Sequence, residues 1–254
     1  MTKKKKDIAV KEDTAVVGYE EHGAWGGEDI GSDDILLPRL LLMQSMSEWV
    51  AEDEKFQAGD FVDSLTEKLI AEKGKTFDCI VFGSEKKLIE YVNDEFNAMN
   101  DYTPNYEYEF TNATGDVVRN VLLIQYYVLL VGDIEKGEVF PYALGFKGTA
   151  AKVGKKLATQ IKKLQVLKQP SAARVFTIGT EKAKNDKGTW FAPTVEMGRA
   201  TTEEEMAEAY TWYKSLMSTK NFKVDDSDLK TDSETTTAQP RTAPANNEEP
   251  QVQV

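Results

Sequence analysis

From Thr76 onward the chain sets short apolar runs against polar breaks, at a spacing that predicts an antiparallel β protein. Segments 76–82, 86–92, 106–110, 117–131, 139–146, 174–178 and 189–197 are rich in β-branched and aromatic residues and read as strands. Gly83 with Ser84, 112–115, 133–137 and 185–188 supply the short polar turns of hairpins. Two stretches carry a helical period instead. One is 149–168, stopped by Pro170; the other is 202–218, which opens on Thr202 followed by Glu203, Glu204 and Glu205. Strands, then a helix, then two more strands is the element order of the five-stranded Greek-key barrel called the OB-fold. Seven strand segments exceed its basic five. The expected class is therefore mainly β with two helices (α+β), an elaborated OB-fold barrel, and a small β-sandwich with extra hairpins fits the same string.

Residues 1–30 are rich in Gly and charge, lack a sustained period and read as a flexible arm. Dense apolar character begins at Ile35 with Leu36, Leu37, Leu40, Leu41, Leu42 and Met43, so the body is placed at 31–223. Beyond Lys223 the acids Asp225, Asp226, Asp228, Asp232, Glu234, Glu248 and Glu249 outnumber Lys230 and Arg241 among Ser, Thr, Pro, Asn and Gln. Residues 224–254 read as a disordered acidic tail.

Charge changes the picture most. Residues 139–180 contain no Asp or Glu, yet carry Lys147, Lys152, Lys155, Lys156, Lys162, Lys163, Lys168 and Arg174. The whole chain sums to -12, so the acids have been kept out of one +8 segment. A concentrated basic surface on an acidic protein suits an anionic partner, because the local field steers ligands whatever the net charge. At about 100° per residue, Ala150, Val153, Leu157, Ile161 and Leu164 fall on one face of the first helix. The arc of about 120° holding Lys152, Lys155, Lys156, Lys162 and Lys163 lies away from it. An ordinary exposed helix mixes Glu among its Lys for pairs worth about 0.2–0.5 kcal/mol each. This one accepts like charges side by side, which points to phosphate contact.

A single strand of nucleic acid also asks for aromatic platforms, each stacked base being worth about 1–3 kcal/mol. Phe140, Tyr142, Leu144 and Phe146 alternate onto one side of the strand before the basic helix, as stacking surface or as core. In the last strand Phe191, Val195 and Met197 make the more apolar face, leaving Trp190 with Thr194 and Glu196. Arg119, Gln125 and Tyr127 share a side of the longest strand, and Arg174 shares one with Phe176. The candidate nucleic-acid contacts are these residues with the lysines: Arg119, Tyr127, Tyr142, Phe146, Arg174, Phe176 and Trp190.

Signatures of catalysis are sparse. The one His22 lies in the arm, away from any Ser-His-Asp, Cys-His or zinc constellation. Gly74, Lys75 and Thr76 end like a phosphate-binding loop, but Leu69 stands where its first Gly belongs. Asp133, Glu135, Lys136 and Glu138 are a loose carboxylate group in an expected turn and read as a solvated loop. The lone Cys79, inside an apolar run, reads as a core residue. No cofactor and no metal is called for. The apolar run 121–131 is too short for a bilayer, which takes about 20 residues. Lys3 to Lys6 are followed by Asp7, Lys11, Glu12 and Asp13 in place of an apolar signal core, so a cytoplasmic protein is expected.

The Lys-rich stretch after Phe146, the turn from Asn185 to Trp190 into a final strand, the Glu-rich helix and the acidic tail together resemble the replication and recombination single-stranded-DNA-binding proteins of tailed bacteriophages. The resemblance implies an OB-like body that coats single-stranded DNA with little sequence preference. It also implies a tail that competes with DNA and docks replication or recombination proteins. This tail departs from the pattern by ending Gln251, Val252, Gln253, Val254 in place of acids and an aromatic. Two other functions fit the same charge pattern: a phage virion or assembly protein with a basic protein- or DNA-binding face, and a metal-dependent nuclease or its accessory.

Overall fold

The longest apolar run forms the axis of the molecule. In the computed structural model, which describes residues 34–51, 54–185, 188–217, 222–226 and 229, segment 117–130 is one strand paired with another that begins at Phe77. The 1–30 arm and 230–254 lie outside the described residues. In chain order the strands are β1 (Leu36–Leu37), β2 (Leu40–Leu42), β3 (Phe61–Asp63), β4 (Leu69–Ala71), β5 (Phe77–Val92), β6 (Glu95–Asp101), β7 (Glu109–Thr111), β8 (Val117–Leu130), β9 (Pro141–Lys147), β10 (Arg174–Asn185), β11 (Gly188–Ala200) and β12 (Lys223–Val224). The helices are α1 (Glu48–Ala51), α2 (Val131–Ile134), α3 (Ala151–Val166) and α4 (Glu203–Trp212), the last continued by a π-helical turn, Tyr213–Met217.

β5 and β8 run antiparallel from Cys79↔Leu130 to Val92↔Val118, a ladder about 40 Å long at ~3.3 Å per residue. Different neighbours flank its two halves. One half is a body of β11, β10, β5, β8 and β9; the other is a wing of β6, β5, β8 and β7. The expected OB barrel is not formed. β11 pairs with β10 and β9 with β8, and the sheet stays open between them. Closure is unnecessary because both faces of the body are covered. On the front, α3 and the small sheet β2-β3-β4 bury Leu40, Phe61, Leu157, Ile161 and Leu164 against Ile124, Tyr126, Val128, Phe176 and Val195. On the back, β1, α2, α4 and the π turn bury Leu37, Ile134, Ala209 and Leu216 against Ile80, Tyr127, Leu129 and Val175.

Gly83 and Ser84 were expected to turn the chain. They lie mid-strand, at a β-bulge between Val81 and Gly83 that lets β5 continue with its faces exchanged. A Cβ at Gly83 would meet Met217 Sδ at 2.7 Å, so the bulge leaves the back face room for the π turn. The wing strand β6 was not anticipated, because Asn93, Asp94, Asn97 and Asn100 mask its pairing with β5. The 133–137 turn is preceded by the single-turn helix α2.

The tail boundary also moves. β12 pairs in parallel with β1, Asp225 N donates to Leu37 O (2.9 Å), and the Phe222 ring meets Tyr127 edge-on at 5.0 Å. Leu229 is fully buried with Ile89, Tyr91 and Leu123. Residues 222–226 and Leu229 thus lie as a strap on the back face, held by the apolar side chains of Phe222, Val224 and Leu229.

Two contacts seat the helices. α3 sits close to the sheet because Gly154 has no side chain: a Cβ there would lie 2.9 Å from Phe146 Cβ and 3.3 Å from Ile124 Cβ. Tyr126 donates its hydroxyl to Gly154 O (2.7 Å), and burial pushes that hydroxyl's pKa up to about 12. α4 opens on a capping box, Glu205 N donating to Thr202 Oγ1 (3.2 Å) and Thr202 N to Glu205 Oε2 (2.7 Å). Arg199 grips the same carboxylate with two bonds of 2.8 and 2.6 Å.

Gly154→Ala should lower stability by about 1–2 kcal/mol in urea unfolding, overpacking outweighing the gain in helix propensity. The Arg199 hydrogen bonds are the main reason the Glu205 carboxyl is held below the ordinary Glu value. Its stabilisation is complete above the unfolded value of about 4.3 and is lost as pH falls through the depressed folded value. Glu205→Gln should therefore flatten the acid limb of the stability profile below about pH 5, measured as the unfolding midpoint against pH.

Candidate nucleic-acid interface

The basic helix is built as its pattern requires. A 3-10 turn, Gly148–Ala150, leads into α3, with Gly148 at φ 54°, and the helix ends where Lys168 takes φ 59° before Pro170. Gly154, Leu157, Ile161 and Leu164 are buried, while Lys152, Lys155, Lys156, Lys162 and Lys163 are all exposed. Among the described residues no acid forms an ion pair with any of these five. Lys156 donates its Nζ to Val195 O (2.9 Å) and fastens the helix to β11. That contact marks the end of the lysine arc nearest β11. By helical rotation Lys163 and Lys152 follow next to Lys156, and Lys155 and Lys162 form a second row on the far side of the arc.

The aromatic candidates fare differently. Tyr127, Tyr142, Phe146 and Phe176 are all in the core, with exposures of 1%, 5%, 0% and 0%. A ring without an exposed face offers no surface to a base, so these four leave the candidate set. The alternation that grouped Tyr142 with Phe146 was right, and their side, with Phe176, is where α3 packs, whereas Tyr127 faces the back layer. Tyr127 is also committed to a buried polar network: its hydroxyl donates to Glu85, Gln125 Nε2 donates to Tyr127 OH (2.9 Å), and Arg39 Nη2 donates to Gln125 Oε1 (3.2 Å). Tyr142 donates to Asp133 Oδ2 at 3.2 Å, and burial raises its pKa. Asp133, expected in a solvated loop, is itself buried, 3.6 Å from Lys68.

Arg119 is paired with Asp94 (2.8 Å) and Glu109 (3.5 Å) in the wing. Lys147 pairs with Leu123 on the sheet face opposite α3, whereas Arg174, half-buried at the start of β10, alternates onto the α3 side with Phe176. Trp190 is half-buried on β11 and points away from Phe191 and Val195, as its strand pattern implied. That places it opposite the lysine helix, beside Ala183 and on the face of Glu181, Thr194 and Glu196.

Strand reasoning missed two lysines by ending β10 at Ile178. The strand continues to Asn185 in regular register, so Lys182 and Lys184 fall on the α3 side with Phe176 and Ile178. Both are exposed. Continuing the alternation past Gly179 would have found them. Lys73 joins the same side, its Nζ 5.1 Å from the centroid of Phe191, the cross-strand partner of Lys182. Among the described residues no three His, Cys, Asp or Glu side chains gather as a metal site, and no helix is long and apolar enough to cross a membrane.

The site and fold define a mainly β protein with an open, two-faced sheet and a lysine helix with no acidic partner among the described residues. The chain belongs to the Pam3 phage gp34-like protein family, whose model matches residues 3–221, and is therefore bacteriophage-related. No curated protein and no solved structure matches it.

Cys79 is fully buried, and desolvation, with Asp78 adding to it, pushes its thiol well above the ordinary value. It should resist a thiol reagent in the native protein and react within seconds to minutes in about 6 M guanidinium, read as thiol release by absorbance.

Proposed function

We propose that this phage protein binds single-stranded DNA with little sequence preference during phage replication or recombination, without catalysis, and that α3 supplies the phosphate contacts. The observation that carries this is that, among the described residues, five exposed lysines on one helix face have no acidic partner. Ammonium groups held together without counter-charge gain most from a polyphosphate, which releases condensed cations on binding. The phage family supports the setting.

The burial of Tyr127, Tyr142, Phe146 and Phe176 favours a second reading, a phage assembly protein whose basic face holds packaged DNA or an acidic protein. Contact through phosphate alone does not select single strands.

Fluorescence anisotropy of labelled oligothymidine and matched duplex across a salt series separates the two. Four or five neutralised phosphates give a log-log slope of about -3 on a single strand. The triple variant Lys152→Glu, Lys155→Glu, Lys162→Glu, which spares the Lys156 contact, should weaken binding at low salt by at least about tenfold. Equal affinity for duplex and single strand would favour the assembly protein, and unchanged affinity in the triple variant would remove α3 from the interface.

A further inference from the structure

Beside α3 the sheet extends past the helix as the free hairpin of β10 and β11. Lys156 marks where the two meet, its Nζ on Val195 O. From Val195 to Phe191, the partner of Lys182, is four residues along β11, or about 13 Å. Lys182 and Lys184 project from the same sheet face that α3 covers, so the helix and the hairpin lysines lie side by side on one face of β10 and β11.

The hairpin is fixed at its base. Gln44 clamps Phe191 through both backbone groups, donating Nε2 to Phe191 O (3.0 Å) and accepting from Phe191 N (3.0 Å). Thr180 bonds to Gly59 O (3.3 Å) and accepts from Gly74 N (3.4 Å), tying the hairpin to the turn that carries Lys73. Lys73 N in turn donates to Asp60 Oδ1 (2.7 Å), and its ammonium lies over Phe191. Three cations thus stand on an anchored support, with Glu72 the acid in the same turn and Glu181 turned to the opposite face. On α3, one turn beyond Lys156, Gln160 has a buried Oε1 that takes no hydrogen bond among the described residues.

We infer that the nucleic-acid path does not end on α3 but crosses to the β10–β11 hairpin, where Lys73, Lys182 and Lys184 form a second set of phosphate contacts for one strand lying along that face. This rests on α3 being a nucleic-acid surface and adds a direction and a length to it. A short oligonucleotide occupies the helix alone, and a longer one reaches the hairpin as well.

The test uses the full chain with oligothymidines of about 8 and about 25 nucleotides, a range spanning ordinary single-strand site sizes. Wild type should show a salt slope steeper on the long probe than on the short one by about 1.4–2, the equivalent of two or three further phosphates. The pair Lys182→Glu, Lys184→Glu should erase that increment and bind the long probe about tenfold more weakly at low salt, with affinity for the short probe within about twofold of wild type. The neutral pair Lys182→Ala, Lys184→Ala should lose part of the increment, and an unchanged thermal midpoint in both pairs establishes that the hairpin still folds. Wild-type behaviour of both pairs on the long probe would overturn the second contact set while leaving α3 as an interface. Failure of wild type to bind either probe would overturn both.

Discussion

The ladder between β5 and β8 is the constraint on which everything else hangs. Thirteen registered pairs hold two strands antiparallel over both halves of the molecule, and every other strand of the large sheet pairs with one of them or, for β11, with β10 at one remove. The ladder presents two apolar faces, so neither can be left to water. One is covered by α3 and the small sheet, the other by α4, the π turn and the strap. The bulge at Gly83 reconciles the two halves. A continuous pleat would send Leu88 to one face and Ile89 to the other with the wrong parity for the wing, and one extra residue resets it.

Seating chiefly by hydrophobic contact explains how α3 can carry its charge. Leu157, Ile161 and Leu164 are buried, and Gly154 lets the helix axis approach the sheet. The mutual repulsion of the lysines, a few tenths of a kcal/mol per neighbouring pair, is small beside burial worth about 1.5–3 kcal/mol for each large apolar side chain. The outer face is therefore free to be selected for charge. In the wing the logic is reversed, with Arg119 drawn into ion pairs with Asp94 and Glu109 and Lys87 into one with Asp101.

How much of this was legible in the sequence depends on the range of the interaction. Helical rotation alone separated the apolar stripe of α3 from its lysines, because that pattern is local. The opening of α4 at Thr202 and its three glutamates was equally plain, and Cys79 was rightly placed in the core. Alternation assigned Tyr142, Phe146 and Tyr127 to the correct sides of their strands, but whether a side meets water or another layer is decided by elements distant in the chain. Tyr127 is closed off by Phe222, 95 residues later. The same limit hid the open sheet: the order of strands and helix is shared by a closed barrel, and only the pairings of β9 and β11 exclude one. Gly83 misled for a different reason, since a glycine that makes room for Met217 and one that turns the chain look alike in sequence.

The parallel pairing of β1 with β12 joins Leu36 to Lys223 and Leu37 to Val224. During synthesis, then, the back face remains without Phe222, Val224 and Leu229 until nearly 230 residues have been made. The front face, whose small sheet and α3 lie earlier in the chain, can assemble well before. The order of translation thereby imposes an order of assembly in which the lysine helix is in place before the last strip of the opposite core is sealed, and the long-range pair that seals it is of the kind that slows folding.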